Sequence, residues 1–197
     1  MTPRIWLADD DRERLQRYVE WLIKVDDRCA IRVLTRGTAV GFYGATPSGV
    51  LTFIALPVIK IKADIEPVDE VMSARMLMAA VAVDKDGIGI GSDLIASPTL
   101  AALPPSDTWL PAERALVGDV INIIDRAVAD GLAADASVWG GFTLDALRVA
   151  RGLGIFSHPG AQVVAATNAG WKRLVTPAGQ IFIPPVRTGR GFLRVVT

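Results

Sequence analysis

The chain has 197 residues, of which 51% are hydrophobic and 21% are charged, so it can bury a sizeable core and is not intrinsically disordered. Its apolar runs stop well short of the roughly 20 residues that a membrane helix needs, and three aspartates near the N-terminus argue against a secretory signal. The single cysteine, Cys29, and the single histidine, His158, exclude an internal disulfide and zinc sites with several Cys or His ligands. We therefore expect a cytoplasmic protein that is not an enzyme and holds no metal or other cofactor.

The formal net charge of zero conceals an asymmetry along the chain. Residues 1–145 contain all 21 acidic and 14 of the 21 basic residues, a net charge of −7, whereas the remaining 52 residues carry +7. A polyanionic partner for the C-terminal part would explain this pattern, and so would mutual complementarity of two parts of one protein.

The N-terminal part is predicted to form a strand, a helix and then three strands. Leu15, Tyr18, Val19 and Leu22 recur at helical spacing behind the aspartates, which can cap the helix and favour its dipole. Alternating and β-branched residues with two tight turns indicate an antiparallel meander after the helix. The predicted elements are strand 4–8, helix 12–24 and strands 29–35, 39–45 and 50–61.

The same element order returns at the end of the chain, and a shorter copy lies in the middle. In the last unit Thr143 is the predicted cap of a helix that ends at Gly152, flanked by strands 136–139, 162–167, 172–175 and 180–183. The middle copy has strand 68–72, Ser73 as a helix cap, helix 75–83 and strands 87–95 and 99–103. The proline-rich segment 103–111 predicts a domain boundary, with a helix over 113–131 behind it.

With these repeats the sequence resembles the DNA sliding clamps, most closely the bacterial β-clamp type. Leu56-Pro57-Val58, the strand-to-helix stretch 68–77 and the Leu100–Pro104 ending are similar to the first half of a clamp domain. Gly141–Leu147 resembles the start of the last clamp helix, and Ile181–Arg187 resembles the family's terminal strand with its Met-Pro-x-Arg ending.

The resemblance implies an α+β fold of β-α-β-β-β units, in which helices line a ring and antiparallel sheets form its outside. For this chain it implies two domains, 1–110 and 111–197, with the second reduced in its first half, in a homo-oligomeric ring that closes as a trimer. A sliding clamp encircles duplex DNA and tethers a polymerase, so the implied partners are double-stranded DNA and the docking peptides of a polymerase and a clamp loader.

A clamp needs a basic lining for sequence-independent phosphate contacts. The exposed helix positions that could supply it are Arg14, Arg17, Lys24, Arg75, Arg126, Arg148 and Arg151. These residues could equally belong to ordinary solvated helix faces, since Glu13, Glu20, Asp119, Asp125 and Asp145 dilute the positive charge.

The resemblance also implies a groove that captures short linear peptides next to the terminal strand. The matching positions are Ile183, Pro184, Pro185, Val186 and Arg187. Alternatively, Ile183 is a core residue and the prolines only end an edge strand. The alternative function is a non-ring α+β module that oligomerises and binds other proteins.

Overall fold

The computed structural model describes residues 2–64, 67–83, 87–92 and 97–185. This part of the chain contains four α-helices: α1 (Asp9–Val25), α2 (Ala74–Val83), α3 (Val117–Ala129) and α4 (Leu144–Gly152). The strands are β1 (Arg4–Trp6), β2 (Ala30–Arg36), β3 (Ala39–Ala45), β4 (Leu51–Pro57), β5 (Lys60–Lys62), β6 (Asp69–Ser73), β7 (Ile88–Gly89), β8 (Leu110–Leu116), β9 (Ser137–Trp139), β10 (Phe142–Thr143), β11 (Gln162–Asn168), β12 (Trp171–Thr176) and β13 (Gly179–Ile183).

One antiparallel sheet of eight strands runs through the molecule in the order β6-β2-β3-β4-β13-β12-β11-β8. The meanders β2-β3-β4 and β11-β12-β13 confirm the two predicted three-stranded repeats. They join where β4 pairs with β13, through the residue pairs Leu51 with Phe182, Thr52 with Ile181, and Phe53 with Gln180. The described part of the chain therefore has the mixed α+β architecture that the sequence predicts.

All four helices lie on one face of this sheet. Cross-strand partners share a face, so the pair Thr52 and Ile181 marks one side and the pair Leu51 and Phe182 the other. Thr52 bonds the hydroxyl of Tyr18 in α1, and Ile181 belongs to the core beneath α3 and α4. Leu51 and Phe182 lie in a separate apolar cluster on the opposite face. We call the two sides the helix face and the outer face.

Helix α1 forms as predicted, because Leu15, Tyr18, Val19 and Leu22 are all buried against the sheet. The expected side-chain cap is wrong: the aspartates lie within the first turn, and Ala8 occupies the N-cap position without a side-chain hydrogen bond. Their contribution is the favourable interaction of negative charge with the helix dipole. In α2 and α4 the predicted caps are confirmed, with Ser73 and Thr143 accepting from the Met76 and Ala146 N–H groups at 3.2 and 3.3 Å.

Helix α1 packs close to the sheet because one strand residue has no side chain. A Cβ atom on Gly44 in β3 would lie 2.6 Å from Leu22 Cδ1 and 2.8 Å from the Tyr18 hydroxyl. That hydroxyl is 2.7 Å from Thr52 Oγ1, and burial raises the pKa of Tyr18 well above its usual value. The phenol is therefore neutral and fixes α1 over the centre of the sheet.

The predicted helix over 113–131 is wrong in its first part. Residues Leu110–Leu116 form β8, which pairs with β11 at the edge of the large sheet, and α3 begins only at Val117. The segment Ala-Glu-Arg-Ala-Leu has good helix propensity, but ladder hydrogen bonds to a distant strand override that local preference.

The predicted strand over 99–103 is also wrong. Pro98–Leu100 forms a single 3₁₀ turn that buries Leu100 on the outer face, and Arg32 Nη1 donates to the Leu100 carbonyl at 2.8 Å. Of the predicted strand 87–95, only Ile88–Gly89 is a strand, and residues 93–96 lie outside the described ranges.

The helix face carries two apolar cores, one under α1 and α2 and the other under α3 and α4. The small sheet β5-β1-β7 packs against the first core, and the β9-β10 hairpin packs against the second. Among the described residues, α1 is followed by the meander β2-β3-β4 and α4 by the meander β11-β12-β13, whereas α2 and α3 are not followed by a complete meander. The division into residues 1–110 and 111–197 stays a prediction.

Candidate functional sites on the helix face and the outer face

The seven basic residues predicted to contact DNA all have exposed side chains on the four helices. On α1, Arg17 and Lys24 lie on the side opposite the buried Leu15 and Leu22, so they point away from the sheet. Arg75 lies on α2, Arg126 on α3, and Arg148 and Arg151 on α4. The fold therefore gathers these residues on one side of the protein.

Four of these seven side chains have an acidic neighbour. Arg14 lies 3.2 Å from Asp11, Arg17 lies 3.5 Å from Glu13, and Arg75 lies 3.0 Å from Asp27. Arg151 pairs with Asp125 across α3 and α4. Exposed pairs of this kind contribute little to stability, so an incoming phosphate can replace the carboxylate at small cost.

The other three, Lys24, Arg126 and Arg148, are exposed and have no ion-pair partner among the residues that the structure describes. They are the positive charges most available to a polyanion.

Helix α2 differs from the others because its exposed side is mostly apolar. Met76 is 41% exposed and Val83 is 81% exposed, with Arg75 as the only charged residue in the helix. The exposed side of α2 therefore offers a single positive charge, the predicted Arg75, beside exposed apolar side chains.

A cleft of about 790 Å³ opens on the helix face between α1 and the turn that joins β12 to β13. Arg14, Arg17, Trp21 and Lys24 form its α1 wall, and Thr176–Gly179 forms the opposite wall. Glu20 is the one acidic residue among the described residues that line it. We call this cavity the helix-side cleft.

Trp21, in the α1 wall of this cleft, contacts both halves of the protein. Its half-buried indole packs against both cores, as does Leu153 just beyond α4. The approach is close, because a Cβ atom on Gly152 would lie 2.8 Å from Trp21 Nε1. The glycine at the end of α4 therefore sets the separation of α1 and α4.

The outer face carries a second cavity, which the sequence did not reveal. Segment 101–109, which we call the connector, crosses this face beside an aromatic cluster of Tyr43, Phe53, Trp109 and Phe182. Ring centroids are separated by 4.5 Å for Tyr43 and Phe53, and by 5.7 Å for Trp109 and Phe182. Together with Leu103, Pro104 and Pro105 these rings line a cavity of about 170 Å³, which we call the connector groove.

One hydrogen bond lies within the connector, and Arg32 binds the backbone of the residue that precedes it. Trp109 Nε1 donates to the Pro105 carbonyl at 3.1 Å, which folds the connector back on itself. Arg32 forms a bidentate pair with Asp69 at 2.6 and 2.7 Å and donates a further bond to the Leu100 carbonyl. The guanidinium holds the pKa of Asp69 below its usual value, chiefly through these hydrogen bonds.

Arg173 borders the connector groove with its guanidinium 5.7 Å from the Trp109 ring centroid. Its Nε donates to Gln180 Oε1 at 2.8 Å, and partial burial lowers its pKa. A cation held over an aromatic ring at the groove can receive an acidic group of a ligand.

Of the predicted peptide-binding residues, the three that the structure describes, Ile183, Pro184 and Pro185, do not line this groove, although their strand contributes to it. Ile183 packs against the core under α3 and α4, whereas Gln180 and Phe182 of the same strand line the groove. Pro184 and Pro185 follow at the end of β13, and Val186 and Arg187 lie outside the described residues. The alternation along β13, with Phe182 and Ile183 on opposite faces, is the signal that could have identified Phe182.

No group of His, Cys, Asp and Glu residues in the described ranges is arranged to hold a metal ion. Cys29 is buried with its Sγ 3.2 Å from the Ala45 carbonyl, and burial raises its pKa to about 11, so it is not a reactive thiolate. Among the described helices, none is long and apolar enough to cross a bilayer.

The model of the family described as "Domain of unknown function (DUF8010)" matches residues 1–98. No curated protein sequence matches the chain. Among solved structures, the DNA polymerase sliding clamp of Caulobacter crescentus aligns over 100% of this chain and 69% of its own, with 12% identity and a TM-score of 0.57.

Two further clamps give similar values. The sliding clamp of Pseudomonas aeruginosa, solved with a ligand, aligns with a TM-score of 0.55 and 12% identity over 95% of this chain. The DNA polymerase III β subunit of Thermotoga maritima has a TM-score of 0.57 and 8% identity over 95% of this chain. The chain spans 65% of either of these two proteins, just under two thirds of their length. At such identities the likeness concerns the fold, and the protein has the fold of the bacterial DNA sliding clamps.

Proposed function

We propose that this protein is a DNA sliding clamp, a processivity factor that encircles duplex DNA as a homo-oligomeric ring and tethers a polymerase. The observation that carries the proposal is the placement of all four helices on one face of a continuous sheet, with seven exposed basic side chains on them. Such a surface suits weak, salt-sensitive contacts to phosphates without base recognition. The ring would contain two clamp-type domains per chain, 1–110 and 111–197, and close as a trimer in the cytoplasm.

The tethering part of the proposal uses the outer face. The connector groove combines four aromatic rings, a proline-rich wall and the polar side chains of Arg36, Ser106, Arg173 and Gln180, which together suit a linear peptide with an apolar anchor and polar or acidic neighbours. Gln180 and Phe182 of β13 line this groove, and there we expect the peptides of a polymerase and a clamp loader to dock.

The test of the ring measures mass and topology separately. Light scattering after size exclusion should give a discrete oligomer at micromolar concentration. The chain should then remain on nicked circular DNA and leave linear DNA of the same length, because a closed ring slides off free ends. A monomer, or equal retention on both DNAs, would contradict the proposal.

A second candidate function is a non-ring module that oligomerises and binds proteins. It is favoured by the incomplete meanders beside α2 and α3 in the described residues and by the exposed Met76 and Val83 on α2. This candidate predicts self-association that is indifferent to DNA topology, with loss of the oligomer in Val83→Glu.

A further inference from the structure

The helix-side cleft and the connector groove are parts of one path around the protein. Three residues, Phe53, Arg173 and Gln180, line both cavities. They meet there because β13 begins only at Gly179, so β4 extends past it toward Pro57 and leaves a notch beside the β12–β13 turn. A linear ligand can therefore pass from the outer face to the helix face through this notch.

Positive charges outnumber negative ones along this path. Arg36 and Arg173 lie at the connector groove, and Arg14, Arg17 and Lys24 lie in the helix-side cleft. Among the described residues that line the two cavities, Glu20 is the only carboxylate, and Asp11 and Glu13 pair with Arg14 and Arg17 from outside the lining. Arg36 is exposed, and Lys24 has no acidic partner in the described part of the chain. The path is therefore complementary to an extended acidic ligand.

The aromatic residues favour a peptide over single-stranded nucleic acid as that ligand. Base stacking needs an open ring face, but Phe182 is 5% exposed, and the Trp109 ring is flanked by Phe182 and the Arg173 guanidinium. A cavity of about 170 Å³ among these ring edges accepts an aliphatic or aromatic side chain. These rings, Leu103 and the two prolines provide contacts for an apolar anchor, and Arg36 and Arg173 of the same lining provide the charge that an acidic segment next to the anchor would meet.

We propose that the connector groove and the helix-side cleft together bind one extended partner peptide, with an apolar anchor in the groove and an acidic segment that passes the β12–β13 turn to reach Arg17 and Lys24. This inference rests on the tethering function proposed above and specifies the chemistry of its partner. It has a further consequence, because Arg17 and Lys24 are also proposed phosphate contacts. The acidic segment and duplex DNA compete for them, so each weakens the binding of the other.

The experiment uses two fluorescent peptides with the same Leu-Phe anchor and Gly-Ser spacer, one followed by a run of glutamates and the other by glutamines. At low salt the glutamate peptide should bind about tenfold more tightly, the effect of a few exposed charge contacts. The double variant Arg17→Gln/Lys24→Gln should remove this advantage and leave the affinity of the glutamine peptide unchanged. Arg148→Gln, a charge on α4 that does not line the path, is the matched control and should retain the advantage. Duplex DNA should weaken binding of the glutamate peptide only.

Other results would overturn the inference. An advantage that survives the double variant, or no advantage at all, removes the acidic segment from the helix-side cleft. Tighter binding of oligothymidylate than of the glutamate peptide, lost in the same double variant, would assign the path to single-stranded nucleic acid. The glutamine peptide distinguishes failure of the proposed peptide tether from failure of the proposed acidic segment. If it binds and the glutamates add nothing, the tether stands and the inference fails, whereas absence of binding by either peptide refutes the tether and the inference with it.

Discussion

Substitution of Gly152 by Ala tests how the two halves of the protein fit together. In a helix, alanine is normally favoured over glycine by about 0.5–1 kcal/mol. Here the new methyl group would lie 2.8 Å from Nε1 and 3.2 Å from Cε2 and Cζ2 of Trp21. Overpacking of this kind typically costs about 1–3 kcal/mol. Because the indole is wedged between two cores, we expect Gly152→Ala to lower the free energy of unfolding by about 1 kcal/mol.

The measurement is a double-mutant cycle with Trp21→Ala, using urea unfolding followed by far-ultraviolet circular dichroism. Once the indole is removed, Gly152→Ala should become stabilising by about 0.5–1 kcal/mol, so the coupling energy should be about 1–3 kcal/mol. A stabilising effect of Gly152→Ala in the wild-type background, or additive effects of the two substitutions, would refute the close contact between α1 and α4.

Three further predictions concern the outer face, a helix cap and the helix face. Asp69→Asn should lower stability at neutral pH by about 1 kcal/mol, a value reduced for partial exposure. Since Arg32 depresses the Asp69 pKa, the carboxylate stabilises the fold above the unfolded-state value of about 4, and this contribution is lost as the pH falls through the lower folded value. Thermal unfolding across this range should therefore show a weaker acid dependence in the variant, and identical profiles would contradict the pair. Thr143→Ala should cost about 1 kcal/mol in urea unfolding through loss of the α4 cap, whereas Thr143→Ser should behave like the wild type. Lys24→Gln should reduce the salt dependence of duplex binding by about 0.9 in the log–log slope for each lost phosphate contact, measured by fluorescence anisotropy; an unchanged slope would remove Lys24 from the DNA-facing surface.

The repeated units were predictable because their signals are local. Leu15, Tyr18, Val19 and Leu22 give the helical period of α1, and Thr143 caps α4 where the sequence places it. The position of β8 was not predictable, because Ala112–Leu116 has helix propensity and its partner β11 lies far away in the sequence. Hydrophobic periodicity indicates which side of a segment is buried, but it does not indicate whether the backbone of that segment pairs with a strand distant in the sequence.

The candidate sites divide in the same way. The exposure of Arg17 and Lys24 was predictable because it follows from helical spacing on α1 alone, whereas their contact with DNA stays a prediction. The connector groove was not found, since Trp109 and Phe182 meet only when the connector folds back over the junction of β4 and β13. The proline-rich segment 103–111, which overlaps the connector, predicts a domain boundary because its prolines break regular structure, and the same prolines make it suitable as a rigid wall.

The order of strands in the large sheet has a consequence for the nascent chain on the ribosome. On the side of β4 away from β3, Leu51, Thr52 and Phe53 pair with residues 180–182 of β13, which are translated long after them. Until β13 has been synthesised, β4 is an unpaired edge strand of the first meander, and its free backbone N–H and C=O groups can pair with other chains. Premature termination before β13 would leave that edge of β4 permanently unpaired, so we expect truncated products to precipitate or be degraded.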